Sequence, residues 1–350
     1  MITYFITVGF TAVGYHLFRR VRLKGHDLSW LMMIPFAILF IFTSHNPDYQ
    51  VYMESFVTGE GPFYEAGLRV VATLLGKIGL KDYRVFLLLV VGLVFLTFRT
   101  WAGRTKHIGS VLFLYSLFVL FYDVIQVRFT IAVMFILLAL YYAIENRKIL
   151  CILFCVLAVF FHRLSALACL MILYLFLVKP KKDYSLSRWE ISLMVLIGLA
   201  GCFLSRPVVS LIAQRSAFFT RISLYMTAGA GFDSLVIWVG YEIFLILALY
   251  FLGYLSVIND PFTEPKTKET VNRLFRFMFF GIAVSGFLLF VEEFNRMYRM
   301  FYVTGYLIFA LIEDHMSKAN RYVLFWTMSA VSILFMVIAM LRGINFDLYW

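Results

Sequence analysis

The chain has little charge, few cysteines and none of the short motifs that carry soluble-enzyme chemistry. Only 15% of its residues are charged, which is low for a soluble domain. Its 4 cysteines lie inside apolar runs without disulfide or metal-ligand spacing, so we expect them to be small packing residues. A Gly-rich phosphate loop, an HExxH sequence and a Gly-x-Ser-x-Gly elbow are also missing from it. ATP hydrolysis and soluble-type hydrolase chemistry therefore have no support, and neither a metal nor another cofactor is required.

Hydrophobic sequence is what the chain has instead. Of its 350 residues 63% are hydrophobic, and the mean hydropathy is +0.88. Apolar runs long enough to cross a bilayer, or nearly so, number about twelve. No soluble domain, low-complexity tract or internal repeat interrupts them. The sequence therefore predicts an all-α polytopic membrane protein with one integral membrane domain over residues 1–350.

The net charge of +11 is explained by membrane topology, not by nucleic acid. Basic residues are concentrated in the loops that alternate spans place on one side, and this side is taken as cytoplasmic. Two long segments, 44–84 and 206–234, then lie outside. Partly amphipathic stretches within them, 64–76 and 208–225, are expected to form helices that lie at the membrane interface.

Basic residues on the predicted outer side are mostly arginine. They are Arg69, Arg84, Arg128, Arg163, Arg206, Arg215, Arg221, Arg296, Arg299 and Arg342. A guanidinium binds phosphate or carboxylate through two parallel hydrogen bonds, so the set favours an anionic ligand at the bilayer surface, such as a lipid pyrophosphate. The alternative is that these arginines anchor helix ends to lipid headgroups.

Arg128 and His162 each lie where a long apolar run meets a polar break. The two apolar stretches between them, 129–144 and 149–161, would cross the bilayer and return as helices. We therefore expect the pair at one membrane face, at neighbouring helix ends, where it could bind an anion and exchange a proton. Alternatively, Arg128 is neutralised by Asp123, and His162 donates to a backbone carbonyl.

A second polar group begins the predicted outer segment after Pro47. Asp48 and Tyr52 have i, i+4 spacing and would share one face of a helix that starts there. Asp48 could orient or deprotonate a sugar hydroxyl, while Tyr49 or Tyr52 stacks on the sugar ring. The alternative for Asp48 is that it stabilises the helix N-terminus as a first-turn acid.

Two further charged features lie later in the chain. Glu292, Arg296 and Arg299 have helical neighbour spacing, which fits either a ligand site or a salt-bridged helix start. Glu242 lies well inside an apolar run, so it must be protonated or paired, and Arg276 is one possible partner.

Four short motifs occur in a characteristic succession. They are Asp48-Tyr49-x-x-Tyr52-x-x-x-Phe56, Arg128-Phe129-Thr130-Ile131-Ala132, Phe161-His162-Arg163-Leu164-Ser165-Ala166, and Arg296-Met297 with Phe301-Tyr302. In order and spacing the chain resembles the EpsG-like family of Wzy-type polysaccharide polymerases. It departs from the family at one place, since members often have Gln directly after the arginine, where this chain has Phe129.

The resemblance implies a GT-C-like membrane glycosyltransferase in the bacterial cytoplasmic (inner) membrane, with its active site facing the periplasm or outside. It would transfer a growing glycan from undecaprenyl pyrophosphate to the terminal sugar of another lipid-linked oligosaccharide repeat unit, as in O-antigen or exopolysaccharide biosynthesis. The implied partners are undecaprenyl-pyrophosphate-linked glycans, membrane lipid and a Wzz-type chain-length regulator, without nucleic acid.

Within that reaction the predicted site residues divide into three roles. Arg128, Arg296 and Arg299 are assigned to the pyrophosphate, and Tyr49 and Tyr52 to the glycan. The catalytic base is His162 or Asp48, and His162 is preferred because its pKa suits operation near neutrality. Two other functions remain open: a flippase or transporter for lipid-linked oligosaccharides, and a membrane O-acyltransferase, which would need an acyl donor.

Overall fold

The computed structural model is predominantly helical. It describes residues 2–18, 22–23, 26–43, 49–58, 66–177, 184–213, 236–288 and 292–341. Within these ranges, one antiparallel pairing of two-residue strands occurs, between β1 (Arg22–Leu23) and β2 (His26–Asp27). Apart from this short pairing the described elements are helices, so the predicted all-α class is confirmed.

Contacts between residues divide the chain into two compact units. Unit 1 is Met1–Cys169 with Trp326–Trp350, and unit 2 is Leu170–Phe325. The predicted single membrane domain over residues 1–350 stays a prediction.

Unit 1 is built from helices α1 to α9 and from parts of α10 and α16. The bounds are α1 Ile2–Phe18, α2 Met33–Phe42, α3 Tyr49–Thr58, α4 Ala66–Lys77, α5 Tyr83–Trp101, α6 Ile108–Leu117, α7 Val119–Ile125, α8 Val127–Ile144, α9 Lys148–Phe161 and α10 Ser165–Leu177. A 3-10 helix, Leu28–Met32, precedes α2.

Unit 2 continues the helical chain to α16. Its helices are α11 Arg188–Ala213, α12 Tyr241–Leu249, α13 Leu255–Asn259, α14 Pro265–Leu288, α15 Tyr298–Ile312 and α16 Lys318–Leu341. Two π-helices, Val236–Gly240 and Tyr250–Tyr254, flank α12. Two 3-10 helices, Glu292–Met297 and Glu313–His315, flank α15.

Four helices in the described part of the chain are long and apolar enough to cross a membrane. They are Tyr83–Trp101, Val127–Ile144, Trp238–Asn259 and Lys318–Ile338. The pair α6 and α7 makes a fifth if it is counted as one span bent by 65°. The shorter apolar helices include α9 and α10. A membrane protein with several apolar helices is thus supported, while the predicted total of about twelve spans stays a prediction.

The sequence has one continuous apolar run over residues 108–122, and the structure breaks it between α6 and α7. Phe118 leaves helical geometry, with φ −143° and ψ −54°. Such a break removes the helical partners of the last α6 carbonyls. The hydroxyl of Tyr4, in α1, donates to the carbonyl of Ser116 at 2.5 Å, so a donor from another helix satisfies the broken backbone.

The turn between α8 and α9 makes these helices a hairpin. Asn146 has φ 57°, a left-handed conformation that asparagine tolerates better than most residues. The N–H of Arg147 then donates to the carbonyl of Tyr142 at 2.9 Å, which closes the end of α8. As a result, the first residue of α8 and the last of α9 lie at the same end of the hairpin.

The loop that joins α13 to α14 is organised by one carboxylate. Thr263 Oγ1 donates to Asp260 at 2.6 Å, and the N–H of Phe262 donates at 3.0 Å. These bonds, with the nearby His315 imidazole, hold the pKa of Asp260 below its ordinary value. Its carboxylate therefore stays charged and keeps the turn closed near neutral pH.

Helices α11 and α14 pack so closely that the backbone of one lies against the backbone of the other. A Cβ on Gly286 would lie 2.3 Å from the carbonyl oxygen of Gly198 and 2.4 Å from the nitrogen of Cys202. Small residues permit such close packing of apolar helices. At one end of this pair, Arg276 of α14 forms a 3.2 Å ion pair with Glu190 of α11. Helix α11 also continues to Ala213, so the predicted outer segment from residue 206 begins inside a helix.

Replacing Gly286 with alanine is expected to destabilise unit 2. The added methyl meets backbone, which cannot rotate away, so the cost should be about 1–3 kcal/mol. The melting temperature of the purified protein in detergent should fall accordingly. Gly92→Ala, in α5, is the control because its Cβ would meet nothing within 4 Å. Equal melting temperatures for the two variants would contradict the packing described.

Candidate functional site

Arg128 is positioned by a tyrosine from another helix. Its Nε donates to the hydroxyl of Tyr52 at 3.0 Å, and its Cζ lies 5.0 Å from the centre of the same ring. Tyr52 is buried in α3, whereas Arg128 is half-buried in the first turn of α8. A hydrogen bond together with a cation–π contact orients the guanidinium, as recognition of an anion requires.

His162 lies at the adjoining end of α9. The backbone N–H of His162 donates to the carbonyl of Ala158 at 2.8 Å, and its backbone carbonyl accepts from the N–H of Ser165 at 2.9 Å. The imidazole packs edge-on against the ring of Phe129, with 4.9 Å between the ring centres. Since Phe129 directly follows Arg128, the structure brings the two predicted residues to neighbouring helix ends.

Phe129 is the residue at which the chain departs from the resembling family. The departure replaces a polar side chain by an aromatic ring that contacts the imidazole of His162. An aromatic contact restricts the orientation of the imidazole and adds no strong acceptor for its protons. This role for Phe129 was not foreseen from the sequence.

Asp123, the alternative partner considered for Arg128, accepts two described hydrogen bonds. It is fully buried, and its carboxylate accepts a 2.6 Å hydrogen bond from the hydroxyl of Tyr115. Its main-chain carbonyl accepts from Thr130 Oγ1 at 2.9 Å. Asp123 thus braces the turn between α7 and α8, just before Arg128.

The predicted site residues that follow Pro47 in the sequence are Asp48, Tyr49 and Tyr52. Asp48 lies outside the described residues. Tyr49 packs edge-on against Tyr83 of α5 at 5.4 Å between ring centres, while Tyr52 contacts Arg128. The two tyrosines assigned to the glycan therefore have separate described contacts, and Tyr52 is the one that contacts Arg128.

Arg296 and Arg299 belong to unit 2. Arg299 is fully buried, and its Nε donates to the carbonyl of Arg296 at 3.3 Å. Arg296 is half-buried at the end of the 3-10 helix before α15. The partly exposed guanidinium of Arg296 is thus more accessible to a ligand than that of Arg299.

Glu242 is a buried carboxyl in a helix apolar enough to span a membrane. Neither of its oxygens has a hydrogen-bond partner among the residues the structure describes. A Cβ on Gly281 of α14 would lie 1.9 Å from Glu242 Oε1, so the carboxyl packs directly on that glycine. The partner considered for it, Arg276, is paired with Glu190 instead.

The surroundings of Glu242 are aromatic. Tyr241 and Tyr302 have ring centres 4.7 Å apart, and the hydroxyl of Tyr302 donates to the carbonyl of Trp238 at 2.6 Å. The π-helix Val236–Gly240 ends just before this group, and π-helical turns are frequent at functional sites. The sequence pointed to Glu242 but not to the π-helices, which contain one glycine each, Gly240 and Gly253.

We expect Glu242→Gln to fold as stably as the unmodified protein. A neutral amide costs less to bury than an unpaired carboxylate and fills nearly the same volume. The yield and melting temperature in detergent should be unchanged or raised. Glu242→Lys, which places an ammonium at the same position, is the contrasting variant and should lower the yield of folded protein. A lower melting temperature for Glu242→Gln would show that the carboxylate has a stabilising partner.

Chemically, the described site residues offer acid–base and anion-binding groups. Within the described ranges no cluster of three His, Cys, Asp or Glu side chains could hold a metal ion. The groups brought together in unit 1 are a guanidinium, a phenol and an imidazole. Such a set can hold a phosphate and exchange a proton.

Comparison with known proteins identifies the family. No curated protein and no solved structure matches the chain significantly. The model of the EpsG family matches residues 28–349, which is nearly the whole chain and includes all four motifs. The resemblance inferred from those motifs is confirmed. The chain therefore belongs to the EpsG family, which suggests a polysaccharide-polymerase type of membrane protein.

Proposed function

We propose that this protein is a Wzy-type, GT-C-like glycosyltransferase that joins undecaprenyl-pyrophosphate-linked oligosaccharide repeat units on the outer side of the bacterial cytoplasmic membrane. Membrane lipid surrounds it, and a Wzz-type chain-length regulator is its protein partner. The observation that carries the proposal is the group formed by Tyr52, Arg128, Phe129 and His162 at one end of the α8–α9 hairpin. We call it the Arg128 group.

The reaction transfers a glycan between two lipid-linked chains. The hydroxyl oxygen of the acceptor's terminal sugar forms a bond to the anomeric carbon of the donor glycan. The bond from that carbon to the pyrophosphate oxygen breaks, and undecaprenyl pyrophosphate leaves with the bonding electrons. The donor bond supplies the free energy, so the reaction needs no nucleotide.

Arg128 and His162 have complementary roles in this step. The Arg128 guanidinium binds the pyrophosphate and stabilises the charge that grows on it as the bond breaks. His162 takes the proton from the attacking hydroxyl. Tyr52 fixes the guanidinium, and Phe129 fixes the imidazole, so that both groups are oriented before the substrate arrives.

The other predicted residues keep secondary roles in this proposal. Asp48 is the alternative base, and Tyr49 contacts the glycan. Arg296 binds an anionic part of a substrate within unit 2, while the buried Arg299 supports Arg296 through its carbonyl. Tyr52 contributes mainly by holding Arg128.

The assignment of Arg128 and His162 is tested by chain lengthening of purified lipid-linked repeat units in detergent. We expect Arg128→Lys to lower the rate about 10²-fold, the usual loss on removing one donor to a developing anion. We expect His162→Ala to lower it by about 10²–10⁴-fold, the usual contribution of a general base. Full polymer production by both variants, at normal protein levels, would refute the assignment.

A matched control for Arg128→Lys is Arg84→Lys. Arg84 also contacts an aromatic ring, with its Cζ 5.7 Å from the centre of Phe42, but it lies outside the Arg128 group. Its replacement should leave the rate nearly unchanged. An equal loss in both variants would mean that lysine harms the fold at either position and that the Arg128 effect is not specific.

The support given by Tyr52 can be separated from its packing. Tyr52→Phe removes the hydrogen bond to Arg128 Nε and keeps the ring, so we expect a loss of about 1 kcal/mol, roughly fivefold in rate. Tyr52→Ala removes both contacts and should approach the effect of Arg128→Lys. Tyr322→Phe, at an exposed position of α16, is the control. Wild-type rates for both Tyr52 variants would show that the tyrosine does not position the arginine.

A flippase or transporter for lipid-linked oligosaccharides is the second candidate, and Glu242 is the observation that favours it. Ionisable groups buried in membrane helices commonly mark transport pathways. The chain-lengthening assay separates the two functions, because transport cannot join repeat units in detergent. Reconstituted vesicles that move the lipid-linked glycan across the bilayer without lengthening it would favour the transporter.

A further inference from the structure

A groove of about 520 Å³ opens on unit 1, lined by residues of α4, α9 and α10 and by Arg163 in the turn after α9. Its volume is within the usual range for small-molecule sites, about 300–1,000 Å³. The lining residues are small or apolar with one exception, the arginine; those used below are Cys155, Val156, Val159, Arg163 and Cys169. We call it the Cys155 groove.

The shape of the Cys155 groove follows from helix packing. A Cβ on Gly67 would lie 2.9 Å from Phe161 Cγ, so α4 approaches the end of α9 closely. Cys155 and Val159, spaced i, i+4, form one stripe along α9. The Sγ of Cys169 lies 3.5 Å from the carbonyl oxygen of Cys155, which draws α10 against α9. Three helices thus meet around small side chains and leave a channel beside α9.

The positive charge of Arg163 lies at one end of the Cys155 groove. Arg163 directly follows His162, so that end adjoins the Arg128 group. Away from that end, α9 exposes two apolar side chains of the kind that contact lipid: Val156, which also lines the groove, and Ile152, which does not. The groove therefore offers one cation next to the reacting groups and an apolar channel leading from it.

We propose that the Cys155 groove binds the polyprenyl chain of the lipid carrier nearest its phosphate, and that Arg163 contacts that phosphate. The identity of the lipid as the glycan donor rests on the proposed function. Ordinary lipid tails are as apolar as the groove, so apolar contact alone selects nothing. Selection comes from the phosphate held by Arg163 and from the branched chain that must fit between α4, α9 and α10.

Binding to the purified full-length protein in detergent tests the proposal, with undecaprenyl phosphate as the probe and native mass spectrometry as the readout. Val159→Trp fills the groove and should weaken binding at least tenfold. Ile152→Trp places the same ring on an exposed position of α9 outside the groove, and should bind as the unmodified protein does. Equal binding by the two variants would overturn the proposal.

The role of Arg163 is tested with a pair of ligands that differ only in the headgroup. Arg163→Gln should weaken the binding of undecaprenyl phosphate several-fold and leave that of undecaprenol, which has no phosphate, unchanged. An equal change for both lipids would overturn the phosphate contact.

The native cysteines give a measurement that requires no variant to fold. Undecaprenyl phosphate should slow the alkylation of Cys155 and Cys169 by an apolar maleimide, as followed by peptide mass spectrometry. Cys202, which belongs to unit 2 and is absent from the groove lining, is the internal reference and should react at the same rate with and without lipid. Equal protection by phosphatidylglycerol would identify a general lipid-contact surface and overturn the proposal.

The experiments distinguish failure of the groove proposal from failure of the proposed function. Protection of the two cysteines in a protein that does not lengthen glycans supports the groove and refutes the polymerase. Full chain lengthening by Val159→Trp, together with unprotected cysteines, refutes the groove and leaves the polymerase intact.

Discussion

The row of aromatic contacts between α8 and α9 is the interaction on which the site depends. Near the turn, Tyr142 stacks on Phe154 at 5.4 Å between ring centres, and further along Phe135 lies 5.6 Å from Phe161. The row ends with Phe129 against His162. Each contact fixes the register of one helix against the other. Without that register, Arg128 and His162 would lie at different positions along the two helix axes and would not meet.

The supports of Arg128 and His162, the two groups proposed to react, differ in kind. Arg128 is held by a polar and a cation–π contact from Tyr52, whereas the imidazole of His162 is held by a T-shaped contact with the apolar ring of Phe129. An arginine keeps its charge whatever surrounds it, so a phenol can orient it safely. A histidine that must exchange a proton is better held by a ring that offers no competing acceptor. The substitution of Phe at position 129 is consistent with that division.

The sequence predicted the hairpin but not its supports. The runs 129–144 and 149–161 have clear boundaries because charged residues interrupt them, and the helices begin and end within two residues of the predicted ends. The partner of Arg128, by contrast, is Tyr52, which lies 76 positions away in the sequence. No local sequence pattern predicts such a contact. The break at Phe118 was missed for the same reason, since neither Pro nor Gly marks it and its donor lies 112 residues earlier. Tertiary contacts decided both features.

The bond from Tyr4 to the carbonyl of Ser116 has a consequence for biosynthesis. A bent apolar segment entering the bilayer exposes backbone carbonyls that lipid cannot satisfy. Tyr4 belongs to α1, which precedes α6 and α7 in the chain, so its hydroxyl is already present when these helices are synthesised. The order of synthesis therefore supplies the donor before the carbonyl needs it, so the bend can form with its backbone already satisfied.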